Sequence, residues 1–225
     1  MPTPRRAVLF DLDGTLADTA PDLAHALNVT LIQHDRPPLP LDQIRPVASQ
    51  GARGLLKLGL GLEPGMSGFA EARQMLLDTY AANIARETAL FPGMNEILAG
   101  LESSGTPWGV VTNKPDYLTR ALLEGLGLLQ RAAVVVSGDT LPVSKPDPAP
   151  ILHAASLLDL PAASTLMIGD DRRDIQSAHG AGAGAWAALW GYIAEQDQPM
   201  FWEADRLLAD VKTLHDALRE SGYMD

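Results

Sequence analysis

Two carboxylates stand two residues apart, directly after an apolar run near the start of the chain. In "AVLFDLDGTLADT", residues 7–19, the run at 7–10 leads into Asp11 and Asp13, and Gly14 follows. An ionised carboxylate at the end of a buried strand loses much of its hydration unless it is paired or bound to a metal. From these residues alone, a solvated Asp-Gly turn and a reactive pair of acids are both open interpretations.

Three further polar motifs follow at intervals along the chain. Taken singly, each has an ordinary structural explanation. Thr112 and Asn113 are good helix caps, and Lys145 precedes a proline as in many surface turns. Asp170 could likewise stand in a turn. The three motifs are "VVTNKP" (110–115), "SKPDP" (144–148) and "IGDDRRD" (168–174).

Short apolar runs precede or flank these motifs and predict buried strands. Strands that alternate with helices imply right-handed βαβ units and a parallel sheet covered on both faces. Ligands of such sheets bind beyond the carboxyl ends of the strands, where we expect Asp11, Thr112, Lys145 and Asp170. The predicted strands are 7–10, 108–112, 133–137, 165–169 and 184–190, and the predicted helices are 94–105, 116–127 and 147–160.

The stretch from about 19 to 88 has a different pattern, because amphipathic helices follow one another without a strand. These predicted helices are 20–35, 52–62 and 68–87. Phe91-Pro92-Gly93 then marks the return to alternating strands and helices. The pattern predicts a core made of residues 1–17 and 89–225, with a small all-helical domain, residues 18–88, inserted after the first strand.

Composition limits the possible partners and the compartment. The 225 residues carry a formal net charge of −11 and contain no cysteine. No basic stripe favours a nucleic acid, and the longest uncharged run, 180–194, is shorter than the roughly 20 residues of a membrane span. We therefore expect a cytoplasmic protein that attracts any anionic ligand through local groups rather than its overall field. The sequence leaves both a monomer and a homodimer open.

In this order, and each near the end of a predicted strand, the four motifs resemble the haloacid dehalogenase superfamily, and within it the phosphatases with an inserted helical cap. The resemblance covers essentially the whole chain. It implies an α/β fold with a Rossmann-like, doubly wound parallel sheet and an all-helical cap domain. It further implies that Asp11 is the nucleophile, forming an aspartyl-phosphate, and that Asp13 is the general acid and base.

The same resemblance implies the remaining roles at the core. Thr112, Asn113 and Lys145 would bind the phosphoryl group. A Mg²⁺ ion would be the cofactor, and Asp174 would hold a metal-bound water or orient Lys145. We expect Asp171 to be a solvated turn acid, with a supporting role at the site as the alternative. The implied metal site comprises Asp11, Asp13 through its backbone carbonyl, Asp170 and Asp174.

In the predicted cap, the segment "SQGARGLL" (49–56) is the candidate for recognising the leaving group. Its Gly51 and Arg53 stand at a predicted helix start. The planar guanidinium of Arg53 suits a substrate carboxylate, and the alternative is that Arg53 is merely solvated.

The resemblance implies that the substrate is a small phosphate ester, and the motifs favour one of two identities. The general pattern resembles phosphoglycolate phosphatases. Three details, "WGVVTNKP", "GDDRRDI" and "GYI" with "EQDQPMFWEAD", resemble instead the N-acetylmuramic acid 6-phosphate phosphatases of cell-wall recycling, and we favour this sugar phosphate. A dehalogenase would not need Asp13 or Mg²⁺. A phosphomutase and a non-enzymatic binding protein remain open alternatives.

Overall fold

The computed structural model describes residues 6–194 and 196–225. The first five residues of the predicted core, and Glu195 of the "EQDQPMFWEAD" motif, lie outside the described residues. In chain order the strands and helices are β1 (Ala7–Phe10), β2 (Ala17–Asp18), α1 (Ala20–Gln33), α2 (Leu41–Ile44), α3 (Gly51–Leu60), α4 (Phe69–Ala82), β3 (Ala89–Leu90), α5 (Met94–Ser103), β4 (Trp108–Val111), α6 (Asp116–Gly125), β5 (Val134–Val136), α7 (Ala149–Leu157), β6 (Thr165–Gly169), α8 (Arg172–Ala181), β7 (Gly184–Ala188), β8 (Arg206–Leu208) and α9 (Val211–Glu220).

A six-stranded parallel sheet, in the order β5-β4-β1-β6-β7-β8, forms the centre of the molecule. Every residue of β1 is buried, and successive side chains of a strand point to opposite faces. Accordingly, Val8 and Phe10 enter the apolar core on one face, and Leu9 enters the core on the other. The predicted α/β fold with a parallel sheet is therefore confirmed.

Two parts of the sheet structure were not predicted. The edge strand β8 is three residues long and half exposed, so no continuous apolar run marks it. The linkers on either side of the helical stretch pair as a short antiparallel ladder, Ala17 with Leu90 and Asp18 with Ala89. This ladder holds the exit and return of the chain side by side.

Residues 20–82, called here the helical segment, contain α1 to α4 and a 3₁₀ helix, Arg45–Gln50. The segment packs around its own apolar core, which includes Leu27, Leu55 and Leu76. Leu118 of α6 and Tyr192 join this core from the sheet side, so the segment is seated on the sheet domain at the carboxyl ends of the strands. No helix within the described residues is long and apolar enough to cross a membrane.

Candidate active site

Lys145 lies at the centre of the charged groups beyond the sheet. Its Nζ lies 2.9 Å from Asp11 Oδ1 and 2.6 Å from Asp174 Oδ1, and donates to the Val111 carbonyl at 2.7 Å. Burial alone would lower the pKa of this lysine, but the two carboxylates outweigh it and raise the pKa. The surface-turn alternative for Lys145 is therefore wrong, and its ammonium is a buried, fixed positive charge.

Asp170, directly after β6, is buried and held from three sides. It accepts hydrogen bonds from Thr15 Oγ1 at 2.7 Å, Ser49 Oγ at 2.9 Å and the Tyr192 backbone N–H at 2.8 Å. Burial, and secondly the neighbouring Asp11 carboxylate, raise the pKa of Asp170 to about 7. Ser49 belongs to the helical segment, so this acid also joins the segment to the sheet.

Glycines make room for these acids. Gly14 adopts a left-handed conformation (φ +83°), and a Cβ there would overlap the Asp170 carboxylate. A Cβ at Gly169 would overlap the carboxylate of Asp174. The close approach of backbone to carboxylate explains why glycine stands at both positions.

Asp11, Asp170 and Asp174 form a cluster that fits a cation. One carboxylate oxygen from each lies within 4.8 Å of the others. Asp11 Oδ1 is buried and accepts no hydrogen bond from the described residues, although the Lys145 ammonium is an ion-pair partner. Two of these three buried carboxylates pair with Lys145, and a divalent ion with oxygen ligands would balance the remaining charge.

Asp174, like Asp170, has a protein donor at both carboxylate oxygens, and it alone of these two pairs with Lys145. Oδ1 pairs with Lys145, and Oδ2 accepts the Asp171 backbone N–H at 3.1 Å. Burial raises the pKa of Asp174 despite the nearby Lys145. Of its two expected roles, this geometry favours orientation of Lys145.

Asp13 lies beside the cluster with partners of its own. Its Oδ1 accepts from Thr19 Oγ1 at 2.6 Å and pairs with Lys114 Nζ at 2.9 Å. Lys114 is buried, and its Nζ lies 4.4 Å from the ring centroid of Tyr80 in α4. Neither Lys114 nor Tyr80 was predicted from the sequence to belong to the site. The only available signal was the position of Lys114 immediately after Thr112 and Asn113.

Thr112 and Asn113 lie where expected, after β4, and the structure gives each a structural contact. Thr112 is buried, and its Oγ1 accepts the Lys114 backbone N–H at 3.2 Å. Asn113 Nδ2 donates to the Lys145 carbonyl at 2.9 Å, while its Oδ1 is buried without a partner among the described residues. Asn113 therefore also fixes the loop that carries Lys145.

Asp171 differs from the expectation of a solvated turn acid. It caps α8 by accepting the Arg173 backbone N–H at 2.8 Å, and its two oxygens pair with the Arg173 guanidinium at 2.8 and 2.7 Å. Burial alone would raise the pKa of Asp171, but the combined opposing effects of Arg173 bring this pKa below its usual range. Because Arg173 Nη2 also donates to the Ser49 carbonyl at 2.8 Å, this pair links α8 to the helical segment.

A cavity of about 280 Å³ opens between the sheet and the helical segment. It brings together the residues predicted from both parts of the chain, except Asp170, which lies outside its lining. Arg73 and Tyr80 of α4 line the cavity too, although the sequence analysis did not select them. The predicted residues that line it are Asp11, Asp13, Gly51, Arg53, Thr112, Asn113, Lys145 and Asp174.

Comparison with known proteins agrees with this geometry. The family described as haloacid dehalogenase-like hydrolase matches residues 8–188. The chain belongs to this family. The match includes β1 with Asp11 and Asp13, the whole helical segment, and the strand ends that carry Thr112 and Asp170. Membership in the superfamily and hydrolase class, as predicted from the motifs, is thereby confirmed.

Individual relatives within the haloacid dehalogenase-like hydrolases carry two different names. A phosphoglycolate phosphatase from Xanthomonas campestris is 44% identical over 90% of this chain and 91% of its own length. An N-acetylmuramic acid 6-phosphate phosphatase from Pseudomonas putida is 42% identical over 89% and 90%. A crystal structure of a predicted phosphoglycolate phosphatase from Haemophilus somnus superposes with a TM-score of 0.85, is 26% identical, and covers 98% of this chain and 100% of that one. All three names describe phosphatases, as expected.

Proposed function

We propose that this hydrolase is a Mg²⁺-dependent phosphomonoesterase that acts on N-acetylmuramic acid 6-phosphate through an aspartyl-phosphate. The observation that carries the proposal is the pairing of Asp11 with the buried Lys145 in a cavity that Asp13 also lines. A nucleophile, a fixed cation and a second acid are the groups that phosphoryl transfer needs at one place.

Each residue then has a defined task. Asp11 attacks phosphorus, and the bond to the leaving oxygen breaks while Asp13, which enters this step as the carboxylic acid, gives that oxygen a proton. Asp13 next removes a proton from the water that attacks the aspartyl-phosphate, which releases phosphate and restores Asp11. Lys145, Thr112 and Asn113 bind the phosphoryl oxygens. Lys114 and Thr19 hold the Asp13 carboxylate at the edge of the cavity.

The donor set supports a divalent cation. Asp11, Asp170 and the Asp13 backbone carbonyl would hold it, and Asp174 would orient Lys145 or hold a water. When bound, Mg²⁺ would neutralise negative charge on the acids and the phosphate. Without such a cation, the Asp170 carboxylate, whose partners are all neutral donors, would repel a phosphate dianion.

We assign leaving-group recognition to residues 18–88, acting as a cap. The supporting observation is that Gly51 and Arg53 line the same cavity as Asp11, with the cavity floor formed by the sheet domain. Arg53 makes no ion pair with the described residues, which leaves its guanidinium free for a substrate carboxylate.

Cavity size and lining favour the sugar phosphate over 2-phosphoglycolate. Pockets that take drug-sized ligands measure about 300–1000 Å³, and about 280 Å³ lies just below that range. A two-carbon leaving group would leave much of the cavity empty, including the part lined by Leu23, Leu76, Leu77 and Leu118. Phosphoglycolate is nevertheless the second candidate, because it also carries a carboxylate and several relatives bear its name.

The test is phosphate release from the two substrates, measured side by side with and without Mg²⁺. We expect activity that requires the cation and a kcat/KM at least tenfold higher for N-acetylmuramic acid 6-phosphate. A higher value for 2-phosphoglycolate would reverse the substrate assignment. Equal activity after removal of divalent ions would overturn the metal assignment.

A further inference from the structure

One face of α4 forms a wall of the cavity. Arg73, Leu76, Leu77 and Tyr80 are spaced i, i+3, i+4 and i+7, which places them on the same side of a helix. All four line the cavity. We call these four residues the α4 face.

The hydroxyl of Tyr80 is the notable polar group of the α4 face. Tyr80 is 1% exposed, and its hydroxyl has no hydrogen-bond partner among the described residues. The Lys114 ammonium lies over the ring, but lysine only donates hydrogen bonds. The phenol proton therefore has no acceptor, and burying it this way costs free energy that a ligand oxygen would recover.

Arg73 lies at the other end of the α4 face. Its side chain is exposed and forms no ion pair within the described part of the chain. Seven residues of α-helix separate it from Tyr80, about 10 Å along the axis. Leu76 and Leu77 occupy the interval, so a hydrogen-bond donor, an apolar strip and a cation follow one another along the wall.

We propose that the α4 face is the subsite for the leaving group, and this inference rests on the proposed phosphatase activity. Tyr80 contacts Lys114, which pairs with Asp13, so the Tyr80 end lies next to the catalytic acid. The Tyr80 hydroxyl donates to an oxygen of the leaving group near the ester. Leu76 and Leu77 contact its apolar part, and Arg73 joins Arg53, which lines the same cavity, in pairing with a carboxylate at its far end.

The spacing defines the substrate class. Both polar contacts require a leaving group that carries an oxygen acceptor near the ester and a carboxylate about 10 Å further along the helix. A carboxylated sugar phosphate has this form. A two-carbon leaving group is too short to contact Tyr80 and Arg73 together.

Binding to the Asp11→Asn protein separates recognition from turnover. The three ligands are N-acetylmuramic acid 6-phosphate, N-acetylglucosamine 6-phosphate, which lacks the carboxylate, and 2-phosphoglycolate. Affinities are measured by calorimetric titration with Mg²⁺ present. Adding Tyr80→Phe should lower the affinity for both sugar phosphates about tenfold, and should lower the affinity for 2-phosphoglycolate less. Adding Arg73→Met should lower the affinity only for N-acetylmuramic acid 6-phosphate, by about tenfold. Matched controls are Tyr117→Phe and Arg36→Met, whose native side chains are exposed and do not line the cavity.

The thermal midpoint of the ligand-free protein separates a role of Tyr80 in binding from a purely structural role. If Tyr80 acts in binding, removing its unpartnered buried hydroxyl should leave this midpoint unchanged or raise it. A lowered midpoint with equal weakening of all three ligands would overturn the inference, as would unchanged affinity for the sugar phosphates. Failure of the proposed function would appear separately, because the wild-type protein would then release no phosphate from any of the three.

Discussion

The two sides of the cavity differ in how far their polar groups are satisfied before a ligand arrives. On the sheet side, called here the carboxyl edge, every charged side chain of the site has a charged or hydrogen-bonding partner. These side chains are Lys145, Asp11, Asp13, Asp170 and Asp174. On the side of the helical segment, the helical wall, Arg53 and Arg73 form no ion pair and the Tyr80 hydroxyl has no acceptor among the described residues. This difference fits a division of labour. Under the proposed function, the groups for the common chemical step are preorganised, and the substrate completes the contacts of the groups for selectivity.

The largest effect should follow the loss of the proposed nucleophile. Asp11→Asn keeps the shape of the side chain but removes its charge, and we expect kcat/KM for phosphate release to fall by about 10⁴-fold or more. The matched control is Asp216→Asn, whose native side chain is exposed in α9. Residual activity above about 1% of wild type would remove Asp11 from the role of nucleophile.

Lys145→Met should damage both stability and activity. The substitution leaves Asp11 and Asp174 buried without their shared cation, and loss of one partner of a buried ion pair costs about 3–5 kcal/mol. Urea unfolding measures this loss, with Lys57→Met as the control because Lys57 is 63% exposed. A second variant, Lys145→Met with Asp174→Asn, should recover part of the stability but none of the activity. Recovery of both would contradict a phosphate-binding role for Lys145.

The carboxyl edge should also make the metal-free protein sensitive to pH. The unfolded chain releases the Asp170 proton near pH 4, whereas the folded protein keeps it to about pH 7. Between these values the folded state binds more protons, so the free energy of unfolding should fall as pH rises, by up to about 1.4 kcal/mol per pH unit. Chemical unfolding in a chelator checks the slope. Mg²⁺ should restore stability at pH 7.5, and Asp170→Asn should make the slope shallower, with the raised pKa of Asp174 accounting for the slope that remains.

On the helical wall, Arg53→Met should act on binding alone. Because the native guanidinium is exposed and unpaired with the described residues, the free energy of unfolding should change by less than about 0.5 kcal/mol. We expect KM for the carboxylate-bearing substrate to rise about tenfold. Arg36→Met is the control. A marked loss of stability would show that the polar groups of the helical wall have partners without a ligand, as those of the carboxyl edge do.

The same contrast explains what could be predicted from the sequence. Asp11, Thr112 and Asp170 were predictable because each follows an apolar run, and parallel strands gather their carboxyl ends at one edge. The helical wall offers no such rule. Tyr80 occupies a position in the apolar stripe of α4, and only the packing of α1 and α3 decides which part of that stripe faces a cavity instead of the core. The partners of Lys114 and Arg173 likewise depend on how the helical segment sits on the sheet.

Ser49 is where the two regions meet, and its substitution should have the smallest effect. Its hydroxyl donates to Asp170, and its carbonyl accepts from Arg173. Ser49→Ala removes only the first contact, one of three hydrogen bonds to Asp170, so we expect a loss of about 1 kcal/mol and a severalfold lower kcat/KM. Ser67→Ala in an exposed turn is the control.

The combination of Ser49→Ala with Arg53→Met then tests whether the two regions are energetically separate. If the wall and the carboxyl edge act independently, the effects of the two substitutions on kcat/KM should add within about 0.5 kcal/mol. A larger coupling would mean that substrate binding at Arg53 is transmitted through Ser49 to the Asp170 carboxylate. Selectivity and chemistry would then share one hydrogen-bond network, and the helical wall would help to set the state of the catalytic acids.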